Sequence, residues 1–229
     1  MALSQWMRLP STWIRSGTLA RLSWHYRGKG ADNIAALMAL TAIAHAADEE
    51  NGVAHITYDR FCEVTGLSRA KLSNGLVVLK NIKVIKSGAL DARSTYALSD
   101  YNPTGGWAKF PVKSMCAGGR IVAFDEFRLR KVVELDALKL FFLFVAYRDN
   151  GTNVATIGYE KINEHSGVKK ERIKSAISFL ASLSLVYVEQ VPSQINAYGV
   201  SNAYRIVGID PFNHRGTRSR NMDGVAFGG

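Results

Sequence analysis

Along residues 32–47, apolar side chains at Leu37, Leu40, Ala44 and Ala47 recur three and four apart. That spacing predicts a helix with one buried face, and Asp32 is placed to cap its N-terminus. A turn at Glu50-Asn51-Gly52 leads into a short strand over 54–57. A brief helix over 58–64, capped by Thr57, then meets the tight turn Thr65-Gly66-Leu67, where glycine supplies a positive φ. Ser68 caps a further helix running to about Lys80, with Leu72, Leu76 and Leu79 on its buried side. Two β-type segments, 84–86 and 95–98, close the series around Ser87-Gly88. The same succession follows a second time: helix 136–148, turn Asp149-Asn150-Gly151, strand 154–157, helix 159–165, and turn Ser166-Gly167-Val168. Helix 169–182, with Ile173, Ile177 and Leu180 inside, leads into strands 185–191 and 203–207 around a loop at 192–196.

The two successions lie in one register. Trp6-Met-Arg-Leu-Pro10 recurs as Trp107-Ala-Lys-Phe-Pro111, and an offset of 101 carries Tyr58 onto Tyr159, Gly66 onto Gly167 and Leu79 onto Leu180 without a gap. The register fails only after about Lys86, where the second copy gains residues. Self-similarity over so long a stretch predicts an internal duplication. Its boundary falls in the turn-rich Asp100–Gly106 stretch, giving one unit over 1–101, a second over 102–210, and a basic tail over 211–229. Trp6 and Trp107 open both units. They fit either a partner contact or a segment pinned across its own unit, and the repetition favours the second.

Helix, short glycine turn and helix make the helix-turn-helix pattern. With a strand before it and two strands after it, each unit resembles a winged helix-turn-helix, over about 32–100 and 133–208. The expected fold class is α+β, mainly α: two tandem winged-helix domains. In that family the second helix of the motif enters the major groove and the strand pair forms a wing beside it. The layout is also similar to that of plasmid and phage replication initiators, which carry two winged helices in one chain.

Charge agrees with such a partner. The chain holds 29 Lys and Arg against 19 Asp and Glu, and the net excess of +10 is shared equally by the two units, with a remainder in the tail. A basic surface favours polyanions. On the second helix of the motif, the first unit offers Ser68, Arg69, Lys71, Ser73 and Asn74, and the second Lys169, Lys170, Arg172, Lys174 and Ser175. Arg reads guanine and Asn adenine through paired hydrogen bonds, whereas Lys suits phosphate. The first unit is therefore expected to read bases and the second to clamp phosphate, with Arg172 as its best base reader. Lys83, Lys86 and Arg93 are the wing candidates, and Arg128 and Arg130 precede the second unit's first helix. Gly75, in mid-helix, suggests a close approach to a neighbouring element.

Other chemistries are poorly supplied. Five histidines and two cysteines show no metal-ligand spacing, no glycine-rich phosphate loop is present, and Cys62 and Cys116 fall at unrelated places in the repeat. No enzyme activity, cofactor, metal site or disulfide framework is expected. The N-terminus carries Trp6, Arg8 and Pro10 where a secretory leader needs an apolar run, and no apolar stretch reaches the roughly 20 residues of a membrane span. The expectation is a cytoplasmic, nucleoid-associated protein binding double-stranded DNA, with possible self-association on the DNA. It would act as a transcription regulator or as the replication initiator of a mobile element. Divergent readers suggest a non-palindromic or direct-repeat target. The alternative is a winged-helix protein-interaction module, which would show an apolar patch where Arg69, Lys71, Lys170 and Arg172 stand.

Overall fold

Two helices with almost no solvent side organise the structure, a computed structural model that describes residues 6–25, 29–87, 94–112, 114–192 and 200–209. The first of them, α2 (Gly30–Ala46), buries thirteen of its seventeen residues, and α5 (Val132–Tyr147) buries thirteen of sixteen. A helix that is apolar all round belongs inside a core. The single apolar stripe expected for residues 32–47 is therefore replaced by burial on every side, because α2 packs against α4 (Arg69–Asn81), against α5 and against strand β1 (Trp6–Pro10). Lys29 rather than Asp32 occupies the N-cap position, and Asp32 sits in the first turn. Helix α5 likewise begins four residues before the expected start. Glu134 in its first turn accepts the backbone N–H groups of Arg128 and Arg130 at 3.3 and 2.9 Å, so the chain is already fixed there. Asp136 becomes an interior position, only 2% exposed.

The remaining elements follow the expected order in both halves. In the first, β2 (Val53–His55), α3 (Tyr58–Thr65), α4, β3 (Ile85–Ser87) and β4 (Thr95–Leu98) succeed α2. In the second, β6 (Val154–Thr156), α6 (Tyr159–Ser166), α7 (Lys170–Ser182), β7 (Val186–Pro192) and β8 (Val200–Ile206) succeed α5. Each half closes a small antiparallel sheet, β2-β4-β3 and β6-β8-β7. The described residues are thus mainly helical, with small antiparallel sheets. Val53 pairs with Ala97, whereas Val154 pairs with Arg205. The offset of 101 on the first strand has become 108 on the last, which places the extra residues of the second half between its last two strands.

The Trp/Pro segments join the halves to each other. Strand β1 pairs antiparallel with β5 (Trp107–Pro111), in a register that sets Arg8 opposite Lys109, Trp6 opposite Pro111, and Pro10 opposite Trp107. Arg8 and Lys109 are equivalent positions in the two halves, so the ribbon is reciprocal about that pair. Trp6 and Trp107 stack at 5.4 Å, with Arg8 over the Trp107 ring and Lys109 over the Trp6 ring. The tryptophans therefore pin one half to the other, not each segment to its own unit.

Beyond the ribbon each segment crosses to the opposite half. Helix α1 (Thr12–Arg15) and the 3-10 turn Thr18–Arg21 lie on α5 and α6. There Arg15 donates to the Ala146 carbonyl and covers the Tyr147 ring, and Trp13 packs on Phe142. In the other direction the Ile121 N–H donates to the Val64 carbonyl at the end of α3, and Arg60 of α3 donates to the Gly119 carbonyl. Buried side chains from both halves form one continuous core. Among the described residues no helix is long and apolar enough to cross a membrane.

Candidate nucleic-acid interface

In each half the short helix and the one after it are joined by the same turn. Gly66 and Gly167 take φ of 70° and 66°, left-handed values that glycine adopts without penalty. A hydroxyl braces each turn from inside. Thr65 donates to the Phe61 carbonyl and accepts the Leu67 N–H, and buried Ser166 does the same with Ile162 and Val168. Capping differs between halves. Thr57 accepts the Arg60 N–H and Ser68 the Lys71 N–H, as expected from their positions, while Gly158 and Lys169 at the matching sites offer no side-chain cap.

Gly75 explains how close α4 comes to α2. A Cβ there would lie 2.8 Å from the Ala35 carbonyl carbon and the Ala36 nitrogen. With α4 drawn in, its outward face reads Arg69, Ser73, Asn74 and Val77, all exposed. On α7 the outward face reads Lys170, Lys174 and Ser175, with Lys169 just before it. Ser68 is exposed at the start of α4, Lys83 in the turn after it and Lys86 on β3; Arg128 and Arg130 are exposed ahead of α5. The side chains of Lys83, Lys86, Arg128, Arg130, Lys169 and Lys174 form no ion pair with a described residue. Arg93 and the tail lie outside the described residues.

The other candidate cations are held by carboxylates, in three different ways. Arg69 pairs with Asp59 and Lys170 with Glu160, the same two positions in each half. Both carboxylates are more than 80% exposed, and the Lys170 hydrogen bond holds the Glu160 carboxyl below its usual pKa. Surface pairs of this kind contribute at most about 1 kcal/mol, so an incoming phosphate can exchange with either carboxylate. Lys71 lies 2.9 Å from the more sheltered Asp32, which also accepts from Asn74 at 3.3 Å. Arg172 is different again. It lies 2.8 Å from Asp136, whose side chain is only 3% exposed. Burial raises the Asp136 pKa against the opposing pull of Arg172 and Lys139, and burial also lowers Lys139 to about 8. Lys139 donates to the Leu22 carbonyl of the crossing segment at 2.8 Å. Withdrawing Arg172 would leave a buried carboxylate short of its partner, at a cost of roughly 3–5 kcal/mol. Arg172, expected as the second half's best base reader, is thus engaged with the scaffold in this structure while 31% of its side chain stays exposed.

Sequence reasoning did not single out four exposed large apolar side chains among the described residues: Val77 on α4, Val122 in the 3-10 turn Val122–Phe124, and Tyr187 and Val188 on β7. Only Val77 had a signal, since it falls on the helical face of Ser73 and Asn74. Tyr187 and Val188 are adjacent on a strand, where alternation would bury one of them; β7 is the outermost strand of its sheet, and both are exposed. Among the described residues no cluster of His, Cys, Asp or Glu is built to hold a metal ion. No model of a known protein family matches the chain, and no curated protein matches it as a relative.

Proposed function

We propose that the chain is a sequence-specific double-stranded DNA-binding protein built from two winged helices related by internal duplication. It acts without a catalytic step, as a transcription regulator or as the replication initiator of a plasmid, phage or other mobile element. The observation that carries the reading is the pair of glycine-turn helices, α4 and α7, each with an exposed polar and cationic outer face. Their flanks agree with it: Lys83 and Lys86 beside α4, and Arg128 and Arg130 ahead of α5, are exposed cations suited to phosphate. Ser73 and Asn74 on α4 can hydrogen-bond base edges, and Val77 beside them can meet a thymine methyl. Fusing two modules raises the effective concentration of the second once the first is bound.

The alternative, a protein-interaction module, draws on Tyr187 and Val188. They lie on a wing strand, and the outer faces of α4 and α7 carry a single large exposed apolar residue, Val77, in place of a patch. The test is duplex binding by fluorescence anisotropy across a salt series. Replacing Lys169, Lys170 and Lys174 together by Ala should weaken binding and flatten the log–log salt dependence by about 0.9 for each phosphate that is no longer neutralised. An unchanged slope in that variant and in Arg69→Ala/Lys71→Ala would remove both helices from the interface.

A further inference from the structure

We infer that the DNA target of this chain is an inverted pair of non-identical half-sites, and not a direct repeat. The inference rests on the DNA-binding reading above and adds the arrangement of the target. It starts from the register of the β1–β5 ribbon. Antiparallel pairing that sets Arg8 against its own equivalent, Lys109, places a local two-fold axis through that pair. A translational or screw relation between the halves would pair non-equivalent residues at that point. Features flanking the axis respect it. The stacked tryptophans are equivalents, each covered by the cation at the equivalent position of the opposite strand.

Farther out the reciprocity persists. The end of α6, at His165 and Gly167, is braced by Gly17 and Ala20 of the first half. The end of α3, at Val64, is braced by Ile121 of the second. Each brace bears on the helix that directly precedes α4 or α7. The two outward helices are therefore fixed in relation to the same axis, while α2 packs on α5 inside. Connections of this kind leave no free linker across which one half could turn to face the same way as the other.

The sugar-phosphate strands of a duplex run antiparallel, so the duplex carries two-fold axes perpendicular to its length. A rigid two-fold pair of helices meets such a duplex with its half-sites inverted, their centres about one helical turn or a multiple of it apart. The half-sites are not copies of each other. Ser73 and Asn74 on α4 stand at the positions that Lys174 and Ser175 hold on α7, so one half-site is read by an amide and the other by an ammonium group. Divergence of the readers, which suggested a non-palindromic or direct-repeat target, changes the letters of the two half-sites and leaves their orientation alone.

The test is selection by the full chain from a duplex pool with a random window of about three helical turns. The expected consensus holds two related half-sites in inverted orientation. Reversing one of them in the selected duplex should weaken binding ten-fold or more. Two half-sites in direct orientation, one half-site alone, or indifference to the reversal would each overturn the inference and leave DNA binding standing. Failure to retain any duplex, even at low salt, is a separate result that would overturn the DNA-binding reading and this inference with it.

Discussion

Asp136 stands one turn into a helix whose neighbours are Leu, Ala and Phe, and the helix tolerates it because Arg172 pairs with it and the charge of Lys139 acts on it. A charged pair in such a place stabilises little in itself, but losing one partner strands the other. Arg172→Ala should therefore lower stability by roughly 3–5 kcal/mol in urea unfolding, whereas Lys174→Ala, exposed two residues further along α7, should stay within about 0.5 kcal/mol. Equal effects at the two positions would return Arg172 to the outer face. Single residues are legible in the sequence where their chemistry is local. Thr57 and Ser68 cap helices that begin beside them, and Gly66 turns the chain at its own position. Arg172 is not legible in this way, because its partner lies 36 residues away and nothing in the spacing of α7 announces it.

The helices α4 and α7 differ at their tightest point. Gly75 lets α4 meet the backbone of α2, and at the matching position of α7 stands Ala176, fully buried. Intrinsic helix propensity favours Gly75→Ala by up to about 1 kcal/mol, yet the new methyl would press on Ala35 and Ala36 backbone, and overpacking costs about 1–3 kcal/mol. A net loss of stability is expected in thermal unfolding, and a neutral or stabilised variant would mean that α4 can stand off from α2. The extents of α3 and α4 are legible to within a residue or so because caps and a glycine turn mark them, and those of α6 and α7 because the glycine turn and the register of 101 carry the same bounds across. Helix α2 looks one-faced in the sequence because periodicity reports only the strongest contrast around a helix. Its remaining small residues, Ala35, Ala36, Ala39 and Ala42, are indistinct in pattern and fully decisive in packing.

For the molecule as a whole, the shared order of elements in the two halves is legible and the crossing is not, since resemblance between two segments is silent about which half each one packs on. The tryptophan pair offers a direct check. Trp6→Ala and Trp107→Ala should each destabilise the chain, and a double-mutant cycle should return a coupling of about 0.5–1.5 kcal/mol. Strictly additive losses would mean that the rings do not act on each other. The crossing also bears on how the chain comes to be made. Arg15 waits for Ala146, and the Leu22 carbonyl waits for Lys139, so this segment leaves the ribosome well before the residues it packs on. At roughly 5–20 residues per second, the edge of β1 and the apolar side of α1 go uncovered for several seconds. Trp13, buried against Phe142 at the end, is uncovered through that interval. The nascent chain thus passes through a stage in which holdase chaperones have a defined stretch to bind, and that stretch vanishes when the second half arrives.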